Sequence, residues 1–294
     1  MNRWQKIITS FLRVRENSRL NKMHNCHRNF FIRIILFFLV SIFSDCAKAQ
    51  NKTSATTHSH YTKLVWQDEF DISGLPDPAK WKYDTGYIRN HELQYYTYKR
   101  AENAIVENGM LDIVARNDSF HLNRHIYPIT SADLCTQGIK DWTYGRIEVR
   151  AKIPSSLGTW PAIWTLGSNI TTVDWPACGE IDIMEHVGFM PDTLHFNEHS
   201  SGSDSGTRIF YPSPEKEFHV YALEWYPDRM DWFVDDKKVF TYTNHHTGNA
   251  TWPYDKPQFI ILNLAFGGDW GGAKGVSLRE FPIHYYIDYV RVYQ

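Results

Sequence analysis

Gly145-Arg146-Ile147-Glu148-Val149-Arg150-Ala151-Lys152-Ile153 alternates apolar and charged residues without a break. Successive side chains of a β-strand point to opposite faces, so Ile147, Val149, Ala151 and Ile153 fall on one side and the charged residues on the other. Working outward, the same kind of short segment recurs between turn residues. Leu64-Val65-Trp66 is broken off by Asp71, Ser73, Gly74, Pro76 and Pro78. Ala104 to Val114 reads as a hairpin closed by Asn108-Gly109, a dipeptide suited to a type I′ turn. His219 to Trp225 and Met230 to Val234 follow, the latter turning through Asp235-Asp236 into Lys238-Val239-Phe240. Phe259 to Ala265 is uniformly apolar, as a strand covered on both faces would be, and Tyr285 to Tyr293 closes the chain. No helix-period segment, internal repeat or second domain is visible after residue 62. Many short strands at regular spacing predict an all-β fold, a β-sandwich over residues 63–294.

Gly179-Glu180-Ile181-Asp182-Ile183-Met184-Glu185-His186 departs from strict alternation in one informative place. Glu180 and Asp182 share a strand face and Ile181 and Ile183 the opposite one, so a regular strand would bury Glu185. One extra residue at Met184, a β-bulge, returns Glu185 to the face of the other two acids. Three carboxylates on one surface suit glycoside hydrolysis, in which an ionised carboxylate attacks the anomeric carbon while a protonated one donates to the leaving oxygen. The acid between them can hold a neighbour protonated near neutral pH by like-charge repulsion. The bland alternative is a solvated acidic edge strand; the interleaved apolar residues and the tryptophans upstream argue against it.

Glu180 to Glu185, with Trp160-Pro161-Ala162-Ile163-Trp164 ahead of it, resembles the active-site strand of glycoside hydrolase family 16, in particular its laminarinase-like endo-β-1,3-glucanases. The resemblance runs from about Lys63 to Gln294. With Met184 inserted, the motif is similar to the laminarinase, agarase and carrageenase branches rather than to the lichenases. It implies a curved jelly roll with a substrate cleft on its concave face. It also implies a retaining mechanism with Glu180 as nucleophile, Glu185 as acid/base and Asp182 tuning the pair, and no cofactor for catalysis. Two rivals stand beside the β-1,3-glucanase reading. One is the same chemistry on a mixed-linkage glucan or a galactan such as agarose; the other is a non-catalytic glucan-binding protein, since a sandwich fold does not fix function.

Eleven tryptophans are a heavy load, and indole faces stack on the flat C–H faces of sugars. Trp160 and Trp164 match the family's substrate-contacting segment; Trp175, five residues before Glu180, and Trp270 in a glycine-rich stretch are further candidates. His195, in Leu194-His195-Phe196-Asn197, resembles a laminarinase histidine that approaches the cleft, with an ordinary structural histidine as the alternative. Asn90, in the segment Arg89 to Tyr96, resembles a loop residue that binds glucose hydroxyls. The fourteen histidines show no metal-ligand spacing. Many relatives carry a structural calcium on the convex side, and the positions matching its ligands are Glu69, the carbonyl of Gly109, and Asp288; oxygen ligands suit calcium. Three ordinary surface positions are the alternative.

Residues 30–43 form a mostly apolar run too short to span a bilayer, after Arg28 and before the small-x-small pattern Ala47-Lys48-Ala49. Residues 1–49 therefore read as a cleaved signal peptide, with Met23 a second possible start, and residues 50–62 as a polar linker. Asp45 stands where lipid attachment through Cys46 would require a small residue. Residues 50–294 hold 22 Lys/Arg against 31 Asp/Glu, a formal net charge of −9. Acidity excludes nucleic acid as partner, because such affinity rests on basic residues neutralising phosphate, and favours a neutral polysaccharide. A secreted monomer without stable membrane insertion is expected. Cys135 and Cys178 permit a disulfide in a secreted protein and equally two buried thiols.

Overall fold

The computed structural model describes residues 59–294, and the expected signal peptide and most of the expected linker lie outside these. Packing begins slightly ahead of Lys63: the Tyr61 hydroxyl donates to the Trp225 carbonyl at 2.9 Å and its ring stacks on Tyr226. Two large antiparallel sheets make up the domain, and no α-helix occurs among the described residues. One sheet is seven-stranded and runs, in spatial order, Ser203–Phe210, Thr193–Ser200, Glu180–Glu185, Thr159–Gly167, Gln258–Phe266, Asp133–Cys135 and Lys82–Asp84. The acidic strand is thus third from an edge, with a partner on either side. The other sheet has eight strands, centred on Gly145–Lys152 between His219–Trp225 and Ile283–Tyr293.

The turns form as their residues dictate. Asn108 and Gly109 both take positive φ, 53° and 73°, between the paired Glu107 and Met110, and Asp235 and Asp236 do the same between Val234 and Lys237. Two left-handed residues in a two-residue loop match the twist of the flanking strands. Gly179 starts the acidic strand at φ 82°, where a β-carbon would stand 2.8 Å from the Pro253 ring; no other residue fits both constraints.

The core lies between the sheets. From the acidic strand Ile181, Ile183 and Met184 enter it, each with no exposed surface, and meet residues such as Leu223 and Trp232 of the opposite sheet. Gln258–Phe266 is buried along its whole length for the reason its composition suggests. Ile260, Leu262, Leu264 and Phe266 face the main core, while Phe259 and Ile261 join Cys135, Ala162 and Trp164 in a smaller apolar cluster on the other face. Cys135 and Cys178 are both buried free thiols, so the disulfide alternative is the wrong one.

Trp232 ties the two layers at the acidic strand: its indole N–H donates to the Asp182 carbonyl at 2.8 Å, both groups being buried. Trp232→Phe keeps most of the ring volume but leaves that carbonyl unpaired. It should cost about 1–3 kcal/mol and lower Tm by several degrees in thermal unfolding; an unchanged Tm would show that the bond is dispensable.

Candidate active site

The bulge is present, and it occupies Ile183–Met184. Against the neighbouring strand, Asp182 pairs with Trp164 and Met184 with Ile163, so Ile183 is the extra residue; against the other neighbour, Asp182 pairs with Asn197 and Glu185 with His195. Two consecutive side chains therefore point into the core, and Glu180, Asp182 and Glu185 emerge on the far face. Over them lies a cleft of two lobes that share Asn90, Trp160, Trp175, Glu180 and Glu185. The first, about 600 Å³, extends over the strands 193–200 and 203–210 and includes His195, His199, Arg208 and Trp270. The second, about 470 Å³, extends the opposite way over Trp164, Asn263 and the loop carrying Ile88 and Arg89. An extended chain laid across the strands would pass directly over the acids.

Each glutamate is held by a tryptophan. Trp175 Nε1 donates to Glu180 Oε2 at 2.7 Å, and Trp160 Nε1 to Glu185 Oε1 at 2.8 Å. Asp182, 2% exposed, lies between them, its carboxyl within 4.8 Å of the Glu180 carboxyl. Burial raises the pKa of all three carboxyls, but unevenly. For Glu180 the rise is opposed by His199, the Trp175 N–H, Arg89 and the polar contact with Asp182. Asp182 is pushed well up by burial and by the Glu180 charge, and Glu185 well up by burial and by Asp182, against the Trp160 N–H. The arrangement therefore makes Glu185 and Asp182 harder to ionise than Glu180, two carboxyls of unequal acidity on one strand.

The other expected residues divide. Trp270 lines the first lobe and meets Trp160 edge to face, ring centres 5.2 Å apart. Trp175 is 56% exposed and offers an open indole beside Glu180. His195 also lines this lobe; burial lowers its pKa to about 4, so it is a neutral ring, and its Nε2 is buried without a partner. Asn90 lies where both lobes meet, its carbonyl accepting from the Asp269 N–H at 2.8 Å. Trp164 differs from the exposed platform expected of it. It is 7% exposed, Arg89 lies 4.8 Å over its ring, and its N–H donates to Asn263 at 2.8 Å, so it forms the lobe wall.

His199, Arg89 and Asn263 belong to the site and no motif marked them. Ring nitrogens of His199 lie 3.1 Å from Asp182 and 3.3 Å from Asp204. Arg89 is bonded to the buried Asp133 and projects its charge toward Glu180. Of the three matched calcium positions, Asp288 lies in a strand of the opposite sheet, and Glu69 and Gly109 in the segments just beyond its strands. Glu69 is bound by Arg291 through two bonds of 2.8 Å, Asp288 is paired with Arg150, and Gly109 occupies its hairpin turn. As arranged, both carboxylates are engaged by guanidinium groups, which a calcium ion would have to displace.

A family model described as glycosyl hydrolases family 16 matches residues 92–291. The chain belongs to glycoside hydrolase family 16. It is 45% identical over 272 residues to a beta-glucanase of Rhodothermus marinus, covering 87% of this chain and 93% of that protein. The crystallographic laminarinase from the same organism superposes with a TM-score of 0.76 at 47% identity, over 80% of this chain and 98% of that one. SCLam, a non-specific endo-β-1,3(4)-glucanase of the same family, gives a TM-score of 0.75 at 44% identity, over 79% of this chain and 91% of its own. This family 16 hydrolase therefore has the family's jelly-roll sandwich, and its chemistry is glycoside hydrolysis without a catalytic cofactor.

Trp160→Phe retains the aromatic wall but removes the donor to Glu185. Losing a bond to the ionised form raises a carboxyl pKa, so the basic limb of the activity profile should move up by roughly 0.7 pH unit, the equivalent of about 1 kcal/mol. A limb that stays in place would show that Glu185 does not set it.

Proposed function

We propose that this hydrolase is a secreted, monomeric, retaining endo-β-1,3-glucanase acting on laminarin-like chains. The carrying observation is the pairing of Glu180 and Glu185 on one face of a bulged strand, each with its own tryptophan donor, at the junction of a cleft open in both directions. An open cleft lets a long chain enter anywhere along its length, which suits internal cleavage. In the first step Glu180 attacks the anomeric carbon and Glu185 gives its proton to the departing oxygen. In the second, Glu185 takes a proton from water, which attacks the glycosyl ester and frees Glu180. Asp182, protonated, donates to Glu180 and steadies the charge that moves on and off it. The open indole of Trp175, together with Trp270, His195 and Asn90, binds sugar rings and hydroxyls.

The β-1,3 linkage is supported by the likeness to a laminarinase across almost the whole of that enzyme. The likeness to SCLam favours mixed-linkage glucan as a second substrate. Export is supported by the apolar run at residues 30–43 and the Ala47-Lys48-Ala49 pattern.

Residues 50–294 should release reducing sugar from laminarin, and Glu180→Gln should lower that activity by several orders of magnitude, as loss of a nucleophile does. Activity within about tenfold of the parent would contradict the assignment. Barley β-glucan and agarose assayed alongside fix the linkage.

A structural calcium at Glu69, Gly109 and Asp288 is a separate proposal, supported by the match to the family's ligand positions. An ion there must compete with Arg291 and Arg150 for the carboxylates. If it binds, Tm should rise by a few degrees between excess chelator and millimolar Ca²⁺; identical melting curves would remove the site.

A further inference from the structure

His199 stands on the rung of the sheet where Glu180 pairs with it on one side and Asp204 on the other. Its two ring nitrogens face different carboxylates. Nε2 lies 3.1 Å from Asp182 Oδ2, an oxygen with no hydrogen-bond partner of good geometry, and Nδ1 lies 3.3 Å from Asp204 Oδ1. Asp204 faces solvent, 73% of its side chain exposed, and is itself held by the Asn197 amide at 2.9 Å. Polar side-chain atoms of Glu180, Asp182 and His199 fall within 4.8 Å of one another.

The groups facing this imidazole are Glu180 and Asp182 from the acidic strand, Asp204 from the edge strand, Asn197 from its own strand, and the Trp175 ring at 6.1 Å. All the titratable groups among them are acids. Glu198, its neighbour in sequence, is fully buried on the opposite face, where Tyr254 and Ser203 bond to it. A carboxylate can only accept, so Asp204 favours a hydrogen on Nδ1, while Nε2 stands between the Asp182 oxygen at 3.1 Å and the Asn197 amide nitrogen at 3.2 Å. Close polar contacts thus run along this row, from Asp204 to His199, from His199 to Asp182 and from Asp182 to Glu180.

We propose that His199, oriented by Asp204, is a positioning residue that acts through Asp182 to keep the Glu180 nucleophile ionised in a buried site. The inference rests on Glu180 being the nucleophile and goes beyond it, because neither the acidic motif nor the fold requires a histidine–aspartate pair on the next two strands. His199 is also the first of the influences that oppose the rise in the Glu180 pKa.

The test is the pH dependence of kcat/KM on laminarin for the parent, His199→Gln, His199→Arg and Asp204→Asn. An ionised nucleophile is required, and a nearby positive group lowers its pKa, so removing that group raises the pKa and moves the acid limb to higher pH. His199→Gln should move it by about one pH unit. His199→Arg, which restores a permanent charge, should hold the limb at or below the parent position. Asp204→Asn, at an exposed position, should move it in the same direction as His199→Gln but less. Variants that lose kcat/KM by one factor at every pH, with the limb unmoved, would reduce His199 to a structural role and overturn the proposal, as would variants identical to the parent. Glu180→Gln separates the two ideas: if it stays active, the nucleophile assignment fails, whatever the His199 profiles show.

Discussion

One extra residue in one strand governs the site. With Ile183 and Met184 both turned inward, the acidic strand satisfies two demands that strict alternation sets against each other. The core receives three apolar side chains, and the cleft receives three carboxyls. A regular strand of the same composition would send Glu185 into the space between the sheets, where an unpaired carboxyl costs several kcal/mol. The bulge is held from both sides, since the strand pairs with neighbours on each edge and Trp232 reaches from the opposite sheet to the Asp182 carbonyl. A central strand so fixed cannot slip in register.

Placing three acids together in a buried cleft raises the cost of ionising any of them, and the surroundings decide which one ionises first. Donors and positive groups are unequally shared. Glu180 has His199, the Trp175 N–H and Arg89 acting in its favour; Glu185 has the Trp160 N–H and, more weakly, His199, and suffers from both Asp182 and Glu180. The same burial that suits Glu185 to the proposed part of proton donor would keep Glu180 from ionising without that asymmetry. Arg89 illustrates how the charge is brought in: its guanidinium is anchored on buried Asp133 and lies over Trp164, so a cation stands beside the cleft on a fixed support.

How much of this can be read from residue order depends on the range of the interaction. Period-two alternation is local, so Gly145–Lys152 and the Asn108-Gly109 hairpin were legible, and the bulge followed from the conflict between Glu185 and its apolar neighbours. Trp160 and Trp175 were legible as candidates, though as stacking faces rather than as N–H donors to the two glutamates. His199 and Asp204 were not, because they join the site through strand register: only the pairings Glu180 to His199 and His199 to Asp204 make neighbours of residues up to 24 positions apart. The burial of Trp164 is not legible either, because nothing in its own segment announces that Arg89, 75 positions earlier, covers its face.

The central claim is that the bulge sets Glu180 and Glu185 as a nucleophile and acid/base pair working on opposite sides of one glycosidic bond. The stereochemistry of the first product tests it most directly. Proton NMR of laminarin hydrolysis, recorded before mutarotation, should show the newly formed reducing end as the β-anomer, because two displacements at one carbon restore its configuration. An initial α-anomer would mean a single displacement by water and would contradict the account.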